Sequence, residues 1–274
     1  MKAAPFDYLR CADAAQALTL LAQSAAGDGM AKVCAGSQSL GPMLNLRLAQ
    51  PTQLLDVSRI GALCGFSLQD EVLRIGAAVT HARIEDGELP DISAGFLPAV
   101  AAGIAYRAVR NRGTLGGSLA HADPSADWVT AMSLLDARFV LLGPGGERRL
   151  AASSFFEGPF TTALQADELL VAVEVRRFSA GARWAYRKVC RKPGEFADAI
   201  AALWFDPAHG VARAALGALD GMPHVVEGAA AIEALRRPAG VAELLDRLGI
   251  DDPHARALHS AMLRRAFIDL EPCA

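Results

Sequence analysis

The sequence predicts an α+β protein in two parts, residues 1–176 and residues 177–274. In the second part, three β-like runs precede three helical runs, an order that is typical of α+β units. We expect these strands to form a three-stranded antiparallel sheet. A polar stretch with a glycine, residues 176–181, follows a strong β run and predicts the crossing between the two parts. A length of 274 residues is sufficient for two such domains.

The first part alternates short strands and helices, which are predicted from apolar periodicity and turn residues. Ala17, Leu18 and Leu21 mark the apolar face of a helix that Gly27 ends, and Asp70 marks a hairpin turn. The predicted elements are a helix at 13–25, a strand at 31–35, a helix or loop at 42–49, a strand at 52–57, a hairpin of 63–69 with 71–77, helices at 84–86 and 97–109, a strand pair of 139–142 with 148–151, and a strand at 169–175.

The second part has β-like runs first and helical periodicity afterwards. No fixed-period repeat interrupts this order. The predicted elements are strands at 184–189, 199–205 and 211–219, and helices near 227–235, 239–248 and 253–269.

Composition and charge exclude several classes of protein. The net charge of -3 and the aromatic content of 6% argue against nucleic acid as the main partner. No stretch approaches the ~20 apolar residues of a membrane span, and the N-terminus lacks a signal-peptide pattern. The cysteines are scattered without a CxxC pair, which argues against a zinc or iron–sulfur site in this chain. We expect reduced, mostly buried thiols in a cytoplasmic protein, at Cys11, Cys34, Cys64, Cys190 and Cys273.

A glycine-rich stretch at residues 110–127 organises the first part. Its three glycines fall within five residues, and glycine allows a positive φ and a close approach of a ligand to the backbone. Successive amides in such a stretch can form a concave site for anions. At its end, Asp123 and Pro124 predict the N-cap and the first position of a helix.

A second small-residue turn, at residues 36–40, follows the predicted strand at 31–35. Each turn alone is equally consistent with a simple tight turn. Together they favour one long diphosphate ligand, because such a ligand can use two anion sites, and nearby helix N-termini add partial positive charge. We therefore expect a phosphorylated ligand held between the two turns.

Sequence motifs for other chemistries are absent. The chain has no G-x-G-x-x-G fingerprint, no Gly-Lys-Ser/Thr of a Walker loop and no G-x-S-x-G elbow. His81 and His121 lack a second ligand at metal spacing, so we expect hydrogen-bonding roles in loops for both. Neither turn carries an evident general base or nucleophile, which fits a cofactor that performs its own chemistry.

The residues also carry a family resemblance. Residues 35–43 with 46–49 resemble the first flavin loop of the FAD-binding medium subunits of molybdenum hydroxylases. That family includes carbon monoxide dehydrogenase medium subunits and the FAD domain of xanthine dehydrogenase. Residues 112–118 with 122–124 and 127 resemble the family's second flavin loop. Residues 155–158 with 162 and 168–170 resemble the end of its FAD domain. Residues 186–188 with 191–192 and 195–197 resemble the start of its C-terminal domain.

Two residues depart from the family pattern. The first loop of the family usually has two glycines, and Ser37 stands at the second place. The residue after Gly117 is commonly asparagine in the family and is Ser118 here. Serine keeps one polar contact where an amide side chain offers two-sided bonding. Neither change removes a charge, so we expect FAD binding to be retained.

The resemblance implies a fold and a set of FAD-binding residues. Residues 1–176 would form a two-part FAD-binding domain of the PCMH/vanillyl-alcohol-oxidase-like type, and residues 177–274 a carbon monoxide dehydrogenase flavoprotein-like C-terminal domain. Backbone amides and short side chains of two segments would grip the FAD diphosphate. The first segment (residues 33–40) contributes Val33, Cys34, Ala35, Gly36, Ser37, Gln38, Ser39 and Leu40, and the second segment (residues 113–118) contributes Thr114, Leu115, Gly116, Gly117 and Ser118.

The remaining implied contacts are Thr80, Ile104, Asp123, Asp127, Leu170 and Lys188. Asp127 would bond polar parts of the cofactor. Leu170 would lie against adenine or flavin, although core packing is the alternative. Lys188 would reach the flavin region, where a cation is reasonable, although a solvated surface charge is the alternative. We expect the Gly117 backbone to have a positive φ or to lie against the diphosphate, and we assign no catalytic or metal-ligating residue.

The resemblance also implies a function. The chain would be the FAD-carrying electron-transfer subunit of a molybdenum hydroxylase, in a dimer of heterotrimers. A large subunit would hold the molybdenum cofactor, and a small subunit would pass electrons from its [2Fe-2S] clusters to this FAD. The substrate stays open, as does the external acceptor among NAD, a quinone and oxygen. The alternatives are a stand-alone flavin oxidoreductase and a non-catalytic nucleotide-binding module.

Overall fold

The computed structural model describes residues 2–27 and 29–271. Within these residues, short strands and helices alternate up to residue 176, and a sheet followed by helices makes up the rest. The strands are β1 (Asp7–Arg10), β2 (Ala31–Cys34), β3 (Gln53–Asp56), β4 (Phe66–Gln69), β5 (Val72–Gly76), β6 (Arg138–Gly143), β7 (Gly146–Ala151), β8 (Phe156–Gly158), β9 (Thr161–Thr162), β10 (Leu169–Arg176), β11 (Arg183–Val189), β12 (Ala199–Asp206), β13 (Val211–Gly217) and β14 (His224–Glu227).

Most helices of the N-terminal part are short, and a 3₁₀ turn, Pro207–His209, follows β12. They are α1 (Ala14–Ala26), α2 (Leu40–Asn45), α3 (Gly61–Cys64), α4 (His81–Glu85), α5 (Phe96–Ala102), α6 (Arg107–Arg110), α7 (Leu115–His121), α8 (Asp127–Leu134), α9 (Ala152–Phe155), α10 (Ala229–Ala234), α11 (Pro238–Arg247) and α12 (Pro253–Leu270). None of the helices in the described residues combines the length and the apolar character needed to cross a membrane.

A small parallel sheet begins the fold, with strand order β1-β3-β2. The middle strand is buried at Leu54 and Leu55, and α1 covers the sheet with Ala17 and Leu21. Asp13 caps α1, because its side chain accepts a hydrogen bond from the backbone N–H of Gln16. The carboxyl end of β2 lies within the first segment, and the loop of that segment follows the strand directly.

A five-stranded antiparallel sheet, in the order β4-β5-β10-β6-β7, forms the centre of the N-terminal part. Its middle strand, β10, is the strong apolar run predicted at 169–175. The pairing of β10 with β6 shifts register between Leu170 and Ala172, and the bulged Val171 offers its carbonyl oxygen to the N–H of Ala77 at 3.0 Å. The bulge thus ties the sheet to the stretch that leads toward the second segment.

The C-terminal sheet is antiparallel with the order β11-β12-β13-β14. It has four strands, so the prediction of three was wrong by one. The fourth, β14, pairs with β13 from Arg213↔Glu227 to Leu216↔His224. Four residues give too little alternation to be identified as a strand in the sequence, and β14 is recognisable only by its pairing.

The C-terminal sheet is buried on both faces. Ala202, Trp204 and Ala215 on one face join the core of the N-terminal part. On the other face, α10, α11 and α12 cover a second core. The turn before helix α8 also contacts the C-terminal part, since the backbone N–H of Ala218 donates to the carbonyl of Pro124 at 3.2 Å.

The helix predicted at 97–109 is two helices, α5 and α6, separated at residues 103–106. Ala105 in this break has a φ of 42°, a left-handed conformation that no helix interior accepts. Lys188 and Arg110 hold the carbonyl groups of the break. These contacts are made by tertiary structure, and the helical periodicity of the sequence gives no sign of them.

The helix predicted to start at Asp123 and Pro124 begins at Asp127, and Ala126 is its N-cap. The Asp123 side chain accepts a hydrogen bond from Ser125 N–H at 2.9 Å, and its carbonyl accepts one from Ala126 N–H at 2.9 Å. Asp123 therefore forms a local turn, which uses the same acceptor geometry as a helix cap.

Four of the five cysteines lie in the described part of the chain, and they carry free thiols. Cys11 and Cys34 are buried, and Cys64 and Cys190 are half-buried. Cys273 lies outside the described residues. Burial raises the pKa of the Cys34 thiol, and a hydrogen bond with Ser37 opposes that shift.

Candidate functional site

The first and second segments meet directly. A β-carbon added at Gly36 would stand 2.0 Å from the Arg112 carbonyl oxygen and 2.7 Å from the Gly113 Cα. Only glycine allows this approach of two backbones. A β-carbon at Gly117 would lie 3.9 Å from Ala35 Cβ. The two turns predicted to hold one ligand are therefore adjacent in space.

The first segment is a loop with unused backbone donors. Among the described residues, no acceptor takes a hydrogen bond from the N–H groups of residues 36–39. Ser37 has a φ of 58°, and the Gln38 side chain donates to the Gly36 carbonyl at 2.9 Å. Successive N–H groups around a left-handed residue form a concave anion site. This geometry fits a phosphate group.

The second segment is the start of helix α7, and its backbone donors are already used. Thr114 caps the helix by accepting from Gly117 N–H at 3.1 Å. The N–H groups of Leu115 and Gly116 donate to the carbonyls of Val79 and Ala77, both at 2.9 Å. Unused backbone amides for the predicted grip are therefore found in the first segment, whereas the amides of Leu115, Gly116 and Gly117 are bonded within the protein.

The glycines of the second segment have no positive φ. Of the two alternatives expected at Gly117, the positive φ is wrong, because this residue lies in a helix, and the contact with the diphosphate stays a prediction. A β-carbon at Gly116 would stand 2.4 Å from Ala77 Cβ, so Gly116 permits close packing on the chain that leaves β5. Gly117 is exposed, and beyond its own helix cap only Ala35 lies near it. A β-carbon at Gly117 would stand 2.7 Å from Thr114 Oγ1, so glycine also suits this helix cap.

His81 contacts the start of the second segment at Gly113. Trp128 Nε1 donates to His81 Nδ1 at 3.0 Å, and the backbone N–H of His81 donates to the Gly113 carbonyl at 2.9 Å. Burial, and secondly the charge of Arg110, lowers the pKa of His81 to about 4. The imidazole is therefore neutral at neutral pH, in the hydrogen-bonding role predicted for it. His121 is half-buried, 5.2 Å from the Phe160 ring centroid.

Asp127 and Lys188 form an ion pair between the N-terminal part and the C-terminal sheet. Lys188 Nζ lies 2.8 Å from Asp127 Oδ1 and donates to the Gly103 carbonyl at 2.7 Å. The Tyr186 hydroxyl donates to Asp127 Oδ1 at 2.8 Å. The side chains of Asp127 and Lys188 are 8% and 15% exposed, so this pair is largely removed from water.

The other predicted residues surround these features at different depths. Thr80 caps α4 and pairs with Thr114 in an isolated bridge. Ile104 is half-buried in the break between α5 and α6. Leu170 is 7% exposed within the main core, which favours packing as its role. Asp123 lies in the turn before α8.

Sequence reasoning gave no role to Tyr186 or Arg110. Tyr186 and Lys188 are two apart on β11 and so share a face, and this periodicity was a signal that could have found Tyr186. Arg110 binds Glu85, 25 residues earlier, through both carboxylate oxygens. No local pattern in the sequence indicates that pair.

Comparisons with known proteins agree with this geometry. Residues 4–176 match the family described as the FAD binding domain in molybdopterin dehydrogenase. The carbon monoxide dehydrogenase medium chain of Hydrogenophaga pseudoflava is 37% identical over 194 residues, which cover 71% of this chain and 67% of that one. Caffeine dehydrogenase subunit beta of Pseudomonas sp. (strain CBB1) is 34% identical over 204 residues, which cover 74% of this chain and 68% of that one.

A solved structure extends the likeness to the whole fold. Carbon monoxide dehydrogenase from Hydrogenophaga pseudoflava, in a form that lacks the Mo-pyranopterin moiety, contains a chain that superposes with a TM-score of 0.85 and 33% identity, over 98% of each chain. The mixed α/β fold and the predicted family resemblance are thereby confirmed. The chain belongs to the family of FAD-binding domains of molybdopterin dehydrogenases, oxidoreductases whose cofactor in this domain is FAD.

Proposed function

We propose that the chain is the FAD-carrying electron-transfer subunit of a molybdenum hydroxylase. In this proposal, residues 1–176 form the FAD-binding domain and residues 177–274 the C-terminal domain. Electrons arrive from the [2Fe-2S] clusters of a small partner subunit and leave to an external acceptor. The observation that carries the proposal is the contact of Gly36 with the backbone of the second segment, beside four unused amides at residues 36–39.

The residues of the site fit FAD. The unused amides of the first segment suit a diphosphate, because they supply hydrogen-bond donors without desolvating a side-chain charge. Gly117 is exposed and has no side chain to obstruct a ligand beside them. Thr114 and Ser118 add hydroxyl groups along the second segment. These features support the assignment of both segments to one extended ligand.

The position of Lys188 supports a placement of the flavin ring where the C-terminal sheet packs on the N-terminal part. An ammonium group has three N–H donors. Both carboxylate oxygens of Asp127, at 2.8 and 2.9 Å, and the Gly103 carbonyl, at 2.7 Å, lie within hydrogen-bond distance of Nζ. Lys188 therefore acts on the cofactor through its positive charge, and these contacts fix the position of that charge. Asp127 then acts on the cofactor through Lys188 as well as by any contact of its own.

Bound FAD supplies the redox chemistry, and the protein supplies binding, orientation and electrostatics. The chain's own residues hold the diphosphate by the first segment, exclude water by the packed second segment, and present one cation through Lys188. We assign no proton transfer to a residue of this chain.

The proposed partners are a large subunit with the molybdenum cofactor and the small [2Fe-2S] subunit, in a dimer of heterotrimers in the cytoplasm. The names of the relatives, a medium chain and a subunit beta, are those of subunits in multi-subunit enzymes and support this. The alignments with those two relatives span about two thirds of their length. Substrate choice then belongs to the large subunit.

The first experiment tests binding. The purified chain is titrated with FAD, and binding is followed by the visible flavin absorbance. Lys188→Gln removes this positive charge and should weaken FAD binding about tenfold, comparable to the loss of one charge-assisted hydrogen bond. The matched control, Lys192→Gln, changes an exposed lysine of the neighbouring loop and should leave affinity unchanged. A parent chain that takes up no FAD contradicts the proposal.

The second experiment tests electron transfer. The FAD-loaded chain is mixed with a chemically reduced [2Fe-2S] partner, and bleaching of the flavin absorbance is followed in time. Reduction by the partner, with little turnover of small organic donors by the chain alone, supports an electron-transfer subunit. Turnover by the isolated chain favours a stand-alone oxidoreductase. FAD that neither the partner nor dithionite reduces favours a binding module.

A further inference from the structure

Three successive carbonyl groups after helix α5 each accept a hydrogen bond from a cation. Lys188 Nζ donates to the Gly103 carbonyl at 2.7 Å. Arg110 Nη1 donates to the carbonyls of Ile104 and Ala105, both at 2.9 Å. Carbonyls at the end of a helix lack partners within the helix, and cations stabilise them. Two cations from different elements therefore hold the stretch 103–105.

Arg110 is itself fixed by Glu85 on α4. Its Nε and Nη2 donate to the two carboxylate oxygens at 2.7 and 2.8 Å, a bidentate pair. The side chains of Arg110 and Glu85 are 12% and 18% exposed. The hydrogen bond from Arg110 is the main cause that lowers the pKa of Glu85. The planar guanidinium thus links α4 to two carbonyl groups in one rigid arrangement.

The stretch that Arg110 holds has an unfavourable backbone conformation. Ala105 has a φ of 42°, a left-handed conformation that is unfavourable for alanine and persists only where contacts enforce it. Among the described residues, no acceptor takes the N–H groups of Ala105 and Tyr106. The conformation therefore leaves two adjacent backbone donors available next to Ile104 and the Lys188 contact.

We propose that the Glu85–Arg110 pair is a positioning element of the cofactor site, which sets the shape of residues 103–105 and the direction of the unused N–H donors of Ala105 and Tyr106. The proposal rests on the proposed function, since Ile104 and Lys188 are its assigned cofactor contacts. Arg110 and Glu85 act through the backbone and do not touch the cofactor. Removing the planar guanidinium of Arg110 lets residues 103–105 change conformation. FAD then binds more weakly and in a changed electrostatic environment.

The test compares Arg110→Lys with a neighbouring arginine. A lysine keeps the charge but cannot bind both Glu85 oxygens and span two carbonyls. We expect FAD affinity to fall about tenfold, the loss expected when one charged hydrogen-bond set is broken, together with a shift of the flavin absorption maximum and reduction potential. The matched control is Arg107→Gln. Arg107 also binds Glu85 and Asp86 but is 47% exposed and makes no bond to residues 103–105.

A conservative variant separates positioning from folding. Glu85→Gln keeps one acceptor oxygen for Arg110, and we expect an intermediate loss of affinity of about threefold, as for a neutral in place of a charged hydrogen bond. If Arg110→Lys does not fold, Glu85→Gln with the same measurements decides. If the FAD affinity and the flavin reduction potential of these variants equal those of Arg107→Gln, the positioning role is wrong, and the proposed function is unaffected. A parent chain that binds no FAD overturns the proposed function and, with it, this inference.

Discussion

The first and second segments are alike in sequence and opposite in structure. Both are short runs of glycine and small polar residues, and each was predicted to grip a diphosphate by backbone amides. In the first segment, the amides of residues 36–39 have no acceptor among the described residues. In the second, the amides of Leu115, Gly116 and Gly117 are bonded within the protein. The two segments therefore differ in the number of backbone donors that they leave unused.

The glycines of the two segments also serve different purposes. Gly36 and Gly116 permit contact with another stretch of backbone or side chain, at distances that any β-carbon forbids. At Gly117 the added β-carbon would instead meet Thr114 Oγ1 of its own helix cap, at 2.7 Å. The left-handed position belongs to Ser37, a residue that pays a conformational cost there. A shared glycine pattern therefore does not imply a shared backbone conformation or a shared role.

The largest expected effect breaks the contact between the segments. Gly36→Ala places a β-carbon 2.0 Å from the Arg112 carbonyl oxygen, and backbone atoms cannot yield as a flexible side chain can. We expect the free energy of unfolding to fall by about 3 kcal/mol or more, the upper range for overpacking. Thermal and denaturant unfolding of the chain without FAD measure this.

Gly41→Ala is the matched control for that change. Gly41 lies in α2, and its added β-carbon meets only Ser37 Oγ, at 3.4 Å. Replacing a helical glycine by alanine should raise stability by roughly 0.5–1 kcal/mol. Equal unfolding midpoints for Gly36→Ala and Gly41→Ala would show that the two segments do not touch as described.

The second expected effect tests the support of the second segment by His81. Its pKa is about 4 in the folded chain and 6.5 in its ordinary state. Between these values the unfolded chain binds more protons, so the free energy of unfolding increases with pH across this window. Stability is complete above pH 6.5 and is lost as the pH falls toward 4. The loss is at most about 3 kcal/mol.

Unfolding of His81→Asn across pH 4–7 isolates this contribution. Asparagine keeps an oxygen acceptor for Trp128 and does not titrate, so the slope of stability against pH should decrease. His254→Asn changes an exposed histidine at the start of α12 and serves as the control. An unchanged slope for His81→Asn would contradict the burial of a neutral imidazole beneath Gly113.

The sequence predicted those elements whose pattern is local. The hairpin around Asp70, the β10 run and the amphipathic face of α1 follow from alternation or helical spacing, and they are present. The break after α5 and the fourth strand β14 were missed. The first depends on Lys188, 85 residues away, and the second on pairing with β13.

The candidate site could be predicted only as a set of residues. Family resemblance brought residues 33–40, residues 113–118 and Lys188 together, and the structure places the two segments in contact. The resemblance could not indicate that Asp127 and Lys188 bind each other, because each residue was assigned from a different motif. Which amides remain unbonded is a property of packing around Ala77 and Val79, and no spacing in the sequence encodes it.

The smallest expected effect sharpens the comparison at Ser37. Its φ of 58° is a conformation that glycine adopts without steric cost. Ser37→Gly should therefore raise the free energy of unfolding by about 1 kcal/mol, because it removes the strain of a side chain at this φ. Ser39 is the control, since its φ of -101° is ordinary and Ser39→Gly should lower stability. If both variants lower the unfolding midpoint, Ser37 is not strained, and the first segment resembles the second more closely than its backbone indicates.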